Sequence, residues 1–549
     1  MPTIDIVVLI LYFVGITAYG LWISRNTRSS DGYFRGGRKL KWWTMMGQAF
    51  GTGTHAEMPV IQAGASFQGG FGTIWYQWKN LLITPFYWLL APWYRRSERT
   101  TVAEMVRDRY GTRMGLLYTI FAILFFVFIM GVMLQGAAKV ISVATGGLIS
   151  ANWVVVGMTL AFILYSYFGG LVAAAHTEFI QGLLIIVLSF LLIPYGLMEV
   201  GGYGEMRTLL PKDFFRLFGE EYGLDGFTIF MLAINGVVGI TAQPHMMSMF
   251  ASGDSEIAGR VGQTYGNFAK RFVTIGWTLT GMIVAAVVIQ KGVELEDPEH
   301  AFGYATRLLL APGLVGLMIA CILAANMSSC SNFMVNLGAL FAKDLYQTYF
   351  RPAANDQQLL RAGRLAGLIL TLAGVGFALY IDNVLSAFLF AETMAAFIGI
   401  IIFGGTLWRG ANRHGALMAI IIALVTYYTL NYLDNDGLQL VYKWKAVPFA
   451  WSMLAGFAAL IFGSMLTVTD HRAGIDAYFE RLKTPASDDM DGEDALRGKS
   501  LILLDVGTWF SAGRWKNFAS RYRDDWLGFL LAWLFVGVLI GIAWIILQL

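Results

Sequence analysis

Long runs of apolar residues, separated by short polar stretches, extend along almost the whole chain. A helix needs about 20 mostly apolar residues to cross a membrane, and by this criterion the pattern predicts fourteen membrane-spanning helices. They are expected at 4–24, 42–66, 71–94, 114–144, 151–173, 177–200, 226–250, 259–290, 308–342, 362–381, 384–408, 413–433, 446–468 and 526–548. Three stretches are too polar to span, at 201–225, 291–307 and 470–525, and within the last of them 500–519 suits a helix lying on the membrane surface.

The composition agrees with this pattern, since 57% of the residues are hydrophobic, only 14% are charged, and the mean hydropathy is +0.59. Soluble domains contain about 25% charged residues. So few charges exclude a disordered, nucleic-acid-binding, collagen-like or disulfide-scaffold protein. We therefore expect an all-α polytopic membrane protein without a separate soluble domain. Cys321 and Cys330 share one apolar run and are expected to pack between helices.

The basic residues are concentrated on alternate connections between the predicted spans. Of the 39 Lys and Arg residues, 30 lie in 25–41, 95–113, 254–271, 342–364, 408–413 and 470–525, and only 7 lie in the opposite connections. Because cytoplasmic loops are enriched in Lys and Arg, this predicts a plasma (inner) membrane protein with both termini outside the cytoplasm. The first apolar run precedes its basic cluster and has no small-residue cleavage site, so no cleavable signal peptide is expected.

Two predicted spans contain residues that interrupt helices. The second carries three glycines, two threonines, a histidine, a glutamate and a proline between Gly47 and Pro59, and the seventh contains Asn235-Gly236-Val237-Val238-Gly239 and then Gln243-Pro244-His245. Unwound backbone survives in a membrane where it lines a wet cavity, and its carbonyls can then bind a cation. The two spans lie five apart and so run in opposite directions, which is typical of a secondary transporter's binding site. The alternative for the second span is a kinked packing helix.

The ninth span carries small oxygen-bearing side chains on one helical stripe, which consists of Ala325, Ser328, Ser329, Asn332 and Asn336. Hydroxyl and amide oxygens suit a hard cation such as sodium, whereas softer metals prefer Cys or His. A stripe that joins helices by hydrogen bonds is the alternative, and the residues alone do not decide between the two.

Five groups of residues resemble motifs that occur together in one family, and the resemblance extends over roughly residues 5–470. They are Tyr33-Phe34-Arg35-Gly36-Gly37-Arg38 with Trp42-Trp43, Thr101-Val102-Ala103-Glu104 with Arg109-Tyr110-Gly111, Gly169-Gly170-Leu171-Val172-Ala173 with Thr177-Glu178-Phe179-Ile180-Gln181-Gly182, Met327-Ser328-Ser329 with Lys343-Asp344-Leu345-Tyr346, and Trp408 with Asn412, Gly415 and Ala416. This set resembles the sodium/solute symporter family, which includes sodium/galactose, sodium/proline and sodium/sialic-acid carriers.

The resemblance implies a leucine-transporter-like core of two inverted five-helix repeats, at 42–200 and 226–408. An extra helix and its cytoplasmic loop would occupy 1–41, two further helices 413–468, a cytoplasmic loop 470–525 and a C-terminal helix 526–549. The resemblance also implies sodium-driven uptake by alternating access, with Na⁺ as the coupling ion, no cofactor, and a small-molecule solute, sodium and the lipid bilayer as partners; we expect no nucleic-acid partner.

The resemblance further implies which residues hold sodium. The shared site would use the backbone carbonyls of Gly51, Thr54 and Ala325 and the hydroxyls of Ser328 and Ser329. A second sodium site would use Glu178, Ser328, Ser331 and Asn332. Here the chain departs from the family, which usually has Asp at the position of Glu178 and Ser or another small residue at that of Asn332.

Alignment with sugar-transporting members places five residues at sugar-contacting positions: Met58, Gln77, Asn80, Gly236 and Lys270. Gln77 and Asn80 keep their hydrogen-bonding groups. Met58 and Gly236 lose this capacity, as does Phe388, which replaces a glutamine of the family. The predicted pocket is therefore unlike a sugar site.

Charged residues near the second and eighth spans suit a zwitterion or a carboxylate instead, namely His55, Glu57, Lys270 and Arg271. Two alternatives remain open: Lys270 and Arg271 end a cytoplasmic loop, and Glu57 pairs with Lys79. Glu392, in the eleventh span, is either a proton-coupling carboxylate or a structural partner of Lys139 or His176. We favour structural pairing for Glu392, and for His245 a histidine whose hydrogen bonds are satisfied within the bundle.

These observations favour a sodium-coupled symporter, not an enzyme, that imports a small polar organic solute such as an amino acid, a carboxylate or a sugar. One alternative is the same fold driven by protons through Glu57 or Glu392. Another is a membrane sensor that binds solute without transporting it. An intramembrane enzyme is disfavoured, because no nucleophile motif is placed against a base.

Overall fold

The computed structural model describes residues 2–24, 40–51, 55, 57–219, 224–435, 437–469, 471–486, 500–504, 506 and 517–549, with the backbone alone at 164–182 and at scattered positions of the first two helices. The first half contains α1 (Thr3–Ser24), α2 (Trp42–Gly51), α3 (Glu57–Gly69), α4 (Trp75–Arg96), α5 (Val102–Tyr110), α6 (Thr112–Ala144), α7 (Ala151–Val200), α8 (Tyr203–Leu209), α9 (Gly226–Ile240) and α10 (Met246–Ala251). The second half contains α11 (Glu256–Lys291), α12 (Ala301–Leu309), α13 (Leu314–Ala339), α14 (Asp356–Tyr380), α15 (Val384–Leu407), α16 (Arg413–Asn435), α17 (Ala446–Leu466), α18 (Arg472–Lys483), α19 (Phe518–Arg521) and α20 (Arg523–Gln548).

The described part of the chain is nearly all helical, and nine of its helices are long and apolar enough to cross a membrane. Three shorter apolar helical stretches lie at Thr3–Tyr12, Ala151–Ile163 and Gly226–Ile240. The protein is therefore a multi-pass membrane protein, although the nine helices fall short of the fourteen predicted spans.

The largest difference from the prediction is α7, a continuous helix of 50 residues. It covers both the predicted fifth span (151–173) and the predicted sixth span (177–200), which the sequence pattern had separated. The intervening Ala174, Ala175 and His176 include no proline or glycine that would break a helix. The structure therefore does not divide this part of the chain into two spans.

Both predicted interruptions are present. α2 ends at Gly51 and α3 begins at Glu57, and α9 ends at Ile240 and is followed by turns before the short α10 at Met246. The side chain of Asp225 accepts a hydrogen bond of 2.8 Å from the Thr228 N–H and so caps α9; hydrogen bonds from Thr228 lower the pKa of this carboxyl. The predicted seventh span is thus two helical pieces joined by turns, and in the second span the described residue between the two pieces, His55, is not helical.

The central helix of the bundle is α11, which contacts α2, α3, α4 and α7. It begins at Glu256, so Lys270 and Arg271 lie well inside a buried helix. The alternative in which these two residues end a cytoplasmic loop is therefore wrong, because the helix begins before the charged pair. Lys270 and Arg271 must therefore be subtracted from the 30 basic residues that were assigned to the predicted cytoplasmic connections.

The boundaries of the ninth span also differ from the prediction of 308–342. The short α12 ends at Leu309, α13 begins only at Leu314, and a π-helical segment at Leu340–Phe350 prolongs it. The side chain of Asp5 fixes this start, since its Oδ1 accepts hydrogen bonds from the N–H groups of Gly313 and Gly316. Uncapped N–H groups at a helix start need such acceptors.

The predicted surface helix at 500–519 falls mostly outside the described residues. Residues 502–504 form a turn, and helix begins at Phe518 in α19. The preceding α18 instead packs on the core: Arg481 pairs with Asp108, and Tyr478 shares a hydrogen bond of 2.9 Å with Thr406.

Close approach between α3 and α11 depends on Gly281. A Cβ atom there would overlap the Ala63 carbonyl and the Ser66 hydroxyl. We expect Gly281→Ala to destabilise the protein by about 1–3 kcal/mol, the usual cost of overpacking, and to lower its melting temperature. Gly376→Ala is the matched control, because a Cβ at Gly376 meets no atom within 4 Å. Equal melting temperatures for the two variants would contradict the packing described here.

Candidate functional site

A cavity of about 280 Å³ lies where the two interrupted helices meet α4, α11, α13 and α15. Most of the residues that the sequence suggested for the solute line it: His55, Glu57, Met58, Asn80, Lys270, Arg271 and Phe388. Three residues of the α13 stripe line it as well, namely Ser329, Asn332 and Asn336. Residues distant in sequence are thus gathered around one space.

Gln77 and Gly236 are not in the cavity wall. The Gln77 side chain donates a hydrogen bond of 2.7 Å to the Met58 carbonyl and so supports the wall from behind. At Gly236 a Cβ atom would lie 3.0 Å from the Ile83 side chain, so this glycine allows α9 to approach α4. Gln77 and Gly236 were predicted to contact the solute, but in the structure they act on the cavity only through Met58 and through the spacing of α9 and α4.

His55, between α2 and α3, shares a hydrogen bond of 3.0 Å with α13, between its Nδ1 and the Ser329 hydroxyl. Ala325, Ser328 and Ser329 are buried on α13, and Gly51 is the last residue of α2. Thr54 lies outside the described residues. The geometry therefore brings the predicted sodium residue Ser329 against the interrupted helix, and both His55 and Ser329 line the cavity.

The residues suggested for a second sodium lie on the same helix. Ser331 is fully buried, and its hydroxyl has no hydrogen-bond partner among the described residues. Asn332 lines the cavity, and its backbone carbonyl accepts a hydrogen bond of 2.9 Å from the Asn336 side chain. The Glu178 side chain lies outside the described part, so this second set is incomplete.

Lys79 of α4 forms a buried ion pair with Glu392 of α15. The alternative that Lys79 pairs with Glu57 is therefore wrong, and so is the pairing of Glu392 with Lys139; the His176 side chain is not described. Lys139 instead binds Glu299 at 2.6 Å and Asp297 at 2.8 Å. Glu392 does have a structural partner, as favoured, but the partner is a lysine 313 positions away.

Glu57 and Lys270 are buried in the cavity wall without an ion pair. Within the described ranges, neither side chain has an oppositely charged partner within the 4.0 Å of an ion pair, and the Glu57 Oε2 accepts no hydrogen bond. Arg271 lies beside Lys270, and its backbone carbonyl accepts a 3.0 Å hydrogen bond from Trp78. The Arg271 side chain is hydrogen-bonded to Tyr87, so Glu57 and Lys270 are the two charges without an ion pair that a solute could meet.

His245 also faces the cavity, contrary to the expectation of a satisfied histidine. Its ring lies among three phenylalanines, with centroid distances of 6.3 Å to Phe125, 6.4 Å to Phe126 and 6.3 Å to Phe333. In the described part of the chain its Nδ1 has no hydrogen-bond partner. The reason is that α9 ends before Pro244, which turns His245 toward the aromatic wall.

The cavity extends toward one face of the bundle. Arg99, Thr100 and Thr101, before α5, and Lys343, in the π-helical segment after α13, belong to its lining, and all lie in connections that the basic-residue pattern predicts to be cytoplasmic. At the other end of α6, Lys139 joins Glu299, whose carboxylate accepts hydrogen bonds of 3.0 Å from the N–H groups of Val384 and Leu385. The lining therefore reaches the face predicted to be cytoplasmic, and the Lys139–Glu299 cluster lies outside that lining.

Sequence reasoning missed the Lys139–Glu299 cluster, the Lys79–Glu392 pair and the part played by Tyr87 and Asn267 in the cavity wall. Lys79, Lys139 and Glu392 were each visible as a costly charge inside a predicted span. Their partners were not, because the pairs join residues far apart in the sequence.

Among the described residues, no group of three or more His, Cys, Asp or Glu side chains could hold a metal ion. The cavity instead offers hydroxyl and amide oxygens, two histidines and separated charges. Such a set suits a hard monovalent cation and a small polar molecule better than a transition metal.

The chain is similar in sequence to several solute transporters. The high-affinity proline transporter PutP of Bacillus subtilis is 26% identical over 84% of this chain and 97% of that protein. The sodium/myo-inositol cotransporter 2 of Bos taurus is 25% identical over 77% of this chain and 68% of that protein. These relatives are transporters, not enzymes.

A solved structure of a Na⁺-coupled sialic acid symporter, in a substrate-bound outward-open state, has a TM-score of 0.71 at 18% identity and covers 85% of this chain and 99% of that one. The fold is therefore shared with a transporter. The model of the sodium:solute symporter family matches residues 33–423. Since this match covers well over half of the 549 residues, the chain belongs to the sodium:solute symporter family.

Proposed function

We propose that the protein is a sodium-coupled symporter that imports a small polar organic solute by alternating access. The observation that carries this proposal is the hydrogen bond between His55 and Ser329. It joins His55, which lies between α2 and α3 and is not helical, to the α13 hydroxyls in the wall of the solute cavity. A sodium ion and a solute bound at these adjacent places would each stabilise the arrangement that the other needs.

The proposed sodium site consists of the carbonyls of Gly51, Thr54 and Ala325 with the hydroxyls of Ser328 and Ser329. Carbonyl and hydroxyl oxygens are the ligands that hard cations prefer. A second sodium site would add Glu178, Ser331 and Asn332; the buried and unpartnered hydroxyl of Ser331 supports this addition.

The proposed transport cycle follows from linkage. If sodium raises the affinity for solute, solute raises the affinity for sodium by the same factor. Inward release is driven by low internal sodium and by the membrane potential, which supplies about 2.3 kcal/mol per charge per 100 mV. In this proposal the side of the cavity that carries Arg99 and Lys343 faces the cytoplasm. The structure then corresponds to the inward-open state of the cycle.

The proposal includes the leucine-transporter-like arrangement of two inverted repeats at 42–200 and 226–408. Its support is the pair of interrupted helices, α2/α3 and α9/α10, at equivalent places in the two halves. It also includes a plasma-membrane location with both termini outside the cytoplasm, which rests on the distribution of Lys and Arg and requires the chain to cross the membrane twice between 151 and 200, not once as a single α7 would.

A proton-driven symporter of the same fold is the second candidate, because the Glu57 Oε2 is buried and accepts no hydrogen bond from the described residues. Glu392 is a weaker proton carrier, since it is already paired with Lys79. The two candidates differ in whether sodium or pH controls solute binding.

Thermal unfolding of the purified protein in sodium and in potassium distinguishes these candidates. A ligand that binds only the folded state stabilises it by mass action, by about 2.7 kcal/mol at 100 times its Kd. We expect the melting temperature to rise with sodium and not with potassium at equal ionic strength. Identical curves in both salts, with a shift caused by pH alone, would reject sodium coupling in favour of protons.

A further inference from the structure

The cavity wall carries separated charges of opposite sign. Glu57, on α3, is 1% exposed, and Lys270 and Arg271, on α11, are 7% and 3% exposed. Within the described part of the chain, neither Glu57 nor Lys270 forms an ion pair. A buried charge without a partner is costly, so these groups gain most from a ligand that supplies the missing charges.

Other ionisable groups in the same wall already have partners. Glu392 pairs with Lys79, and Arg99 binds Asp108 at 2.6 Å. The charges left deep in the cavity are one carboxylate, on Glu57, and two cations, on Lys270 and Arg271. The Arg271 side chain is also hydrogen-bonded to Tyr87. A neutral sugar would leave Glu57 and Lys270 without an ion pair, whereas a solute that carries both an ammonium and a carboxylate would satisfy both signs.

Part of the remaining wall is apolar and aromatic, and it stands beside amide groups such as those of Asn80 and Asn267. Phe126 and Phe333 lie with their ring centroids 5.0 Å apart, and Phe125, Phe388 and Met58 also line the cavity. Aromatic and thioether surfaces favour an apolar group over hydroxyls. The part of the solute that faces them is therefore expected to be hydrocarbon.

We infer that the solute is an amino acid with an apolar side chain, bound at two charged points. Its carboxylate binds Lys270 and Arg271, its ammonium binds Glu57, and its side chain packs against Phe126 and Phe333. This inference rests on the proposed function only in taking the cavity as the place where solute binds. Glu57 and Lys270 thereby determine specificity rather than couple transport to an ion.

The test is thermal unfolding of the full-length protein in sodium with matched ligand series. Proline, valine, leucine and phenylalanine are each compared with the analogue that lacks the amine, such as 4-methylpentanoate for leucine, and with the amide that lacks the carboxylate, such as leucinamide. Glucose and myo-inositol serve as uncharged polyols. A hydrogen bond to a charged group contributes about 1.5–3 kcal/mol, so each analogue should need about 10- to 100-fold more ligand for the same shift.

Two variants assign the two charged points. Glu57→Gln should abolish the preference for the amino acid over its deaminated analogue while leaving binding of the deaminated analogue unchanged. Lys270→Met should weaken the binding of the amino acid and of its deaminated analogue alike, each by about 10- to 100-fold. Glu294→Gln and Lys212→Gln, which remove exposed charges elsewhere, are the controls. The ligand series on the unaltered protein gives an answer even where a variant fails to fold.

The inference is overturned if no amino acid stabilises the protein, if a polyol stabilises it better, or if amino acid and deaminated analogue bind equally. Failure of this inference about the ligand can be distinguished from failure of the proposed sodium-coupled transport. Amino acids that bind without sodium-driven uptake would reject transport but keep the ligand class. Sodium-driven uptake of a sugar would do the reverse.

Discussion

Replacing Ser329 with alanine is expected to raise the sodium concentration for half-maximal uptake by about tenfold or more, since a bond to a charged group contributes about 1.5–3 kcal/mol. The hydroxyl of Ser329 lies 3.0 Å from the His55 Nδ1, at the break between α2 and α3. The substitution removes one oxygen from the proposed sodium site and one link between α13 and the interrupted helix. Solute uptake measured against external sodium gives this value directly.

Cys330→Ala is the matched control for Ser329→Ala. Cys330 is fully buried on the same turn of α13, but its thiol is not in the cavity wall and supplies no oxygen ligand. We expect its sodium dependence to equal that of the unaltered protein. If Ser329→Ala also left the sodium dependence unchanged, Ser329 would not be a sodium ligand, and the stripe on α13 would serve only to hold helices together.

The second large effect is expected at the Lys79–Glu392 ion pair. Removing one partner of a buried pair leaves an uncompensated charge and typically costs about 3–5 kcal/mol. Lys79→Met and Glu392→Gln should therefore each lower the melting temperature markedly. The double variant Lys79→Met/Glu392→Met should recover much of the lost stability, because neither member of the pair is then left buried and charged without the other. Thermal unfolding in detergent measures all three.

An exposed ion pair provides the comparison. Lys445 and Asp434 lie 2.5 Å apart, with 40% and 53% of their side chains exposed. Such pairs contribute about 0–1 kcal/mol, so Lys445→Met should change the melting temperature little. If Lys79→Met behaved like Lys445→Met, or if the double variant were no more stable than the single ones, the pair would not hold α4 and α15 together as described.

The interrupted helices were predictable from sequence because their cause is local. Gly51 ends α2 and Pro244 lies in the turns that follow α9, as such residues favour. Gly236 and Gly239, however, lie inside α9. Broad apolar runs likewise predicted most of the long helices. The division of 151–200 into two spans failed, because hydropathy dips at His176 while nothing in the backbone ends the helix there.

Side-chain partners were not predictable, since they depend on how distant helices pack. Lys79 and Glu392 were each recognised as charges inside spans, but their separation of 313 residues gave no sign that they meet. Lys270 and Arg271 were interpreted in two ways, as solute ligands and as the end of a loop. The structure excludes the loop, because α11 begins at Glu256.

The cavity residues show how far sequence reasoning reached. Alignment to a family placed Met58, Asn80 and Lys270 near the solute, and all three line the cavity. It also placed Gln77 there, whereas this side chain turns away to the Met58 carbonyl. A residue's register along a helix can be inferred from sequence, but the direction of its side chain depends on neighbours from other helices.

The most direct test of the central claim is uptake by the purified protein in proteoliposomes with an imposed inward sodium gradient. A panel of radiolabelled amino acids, carboxylates and sugars is offered in sodium or in potassium, with and without a protonophore. We predict accumulation of one solute class above equilibrium only with the sodium gradient, unaffected by the protonophore. Accumulation that persists in potassium and collapses with the protonophore would contradict sodium coupling.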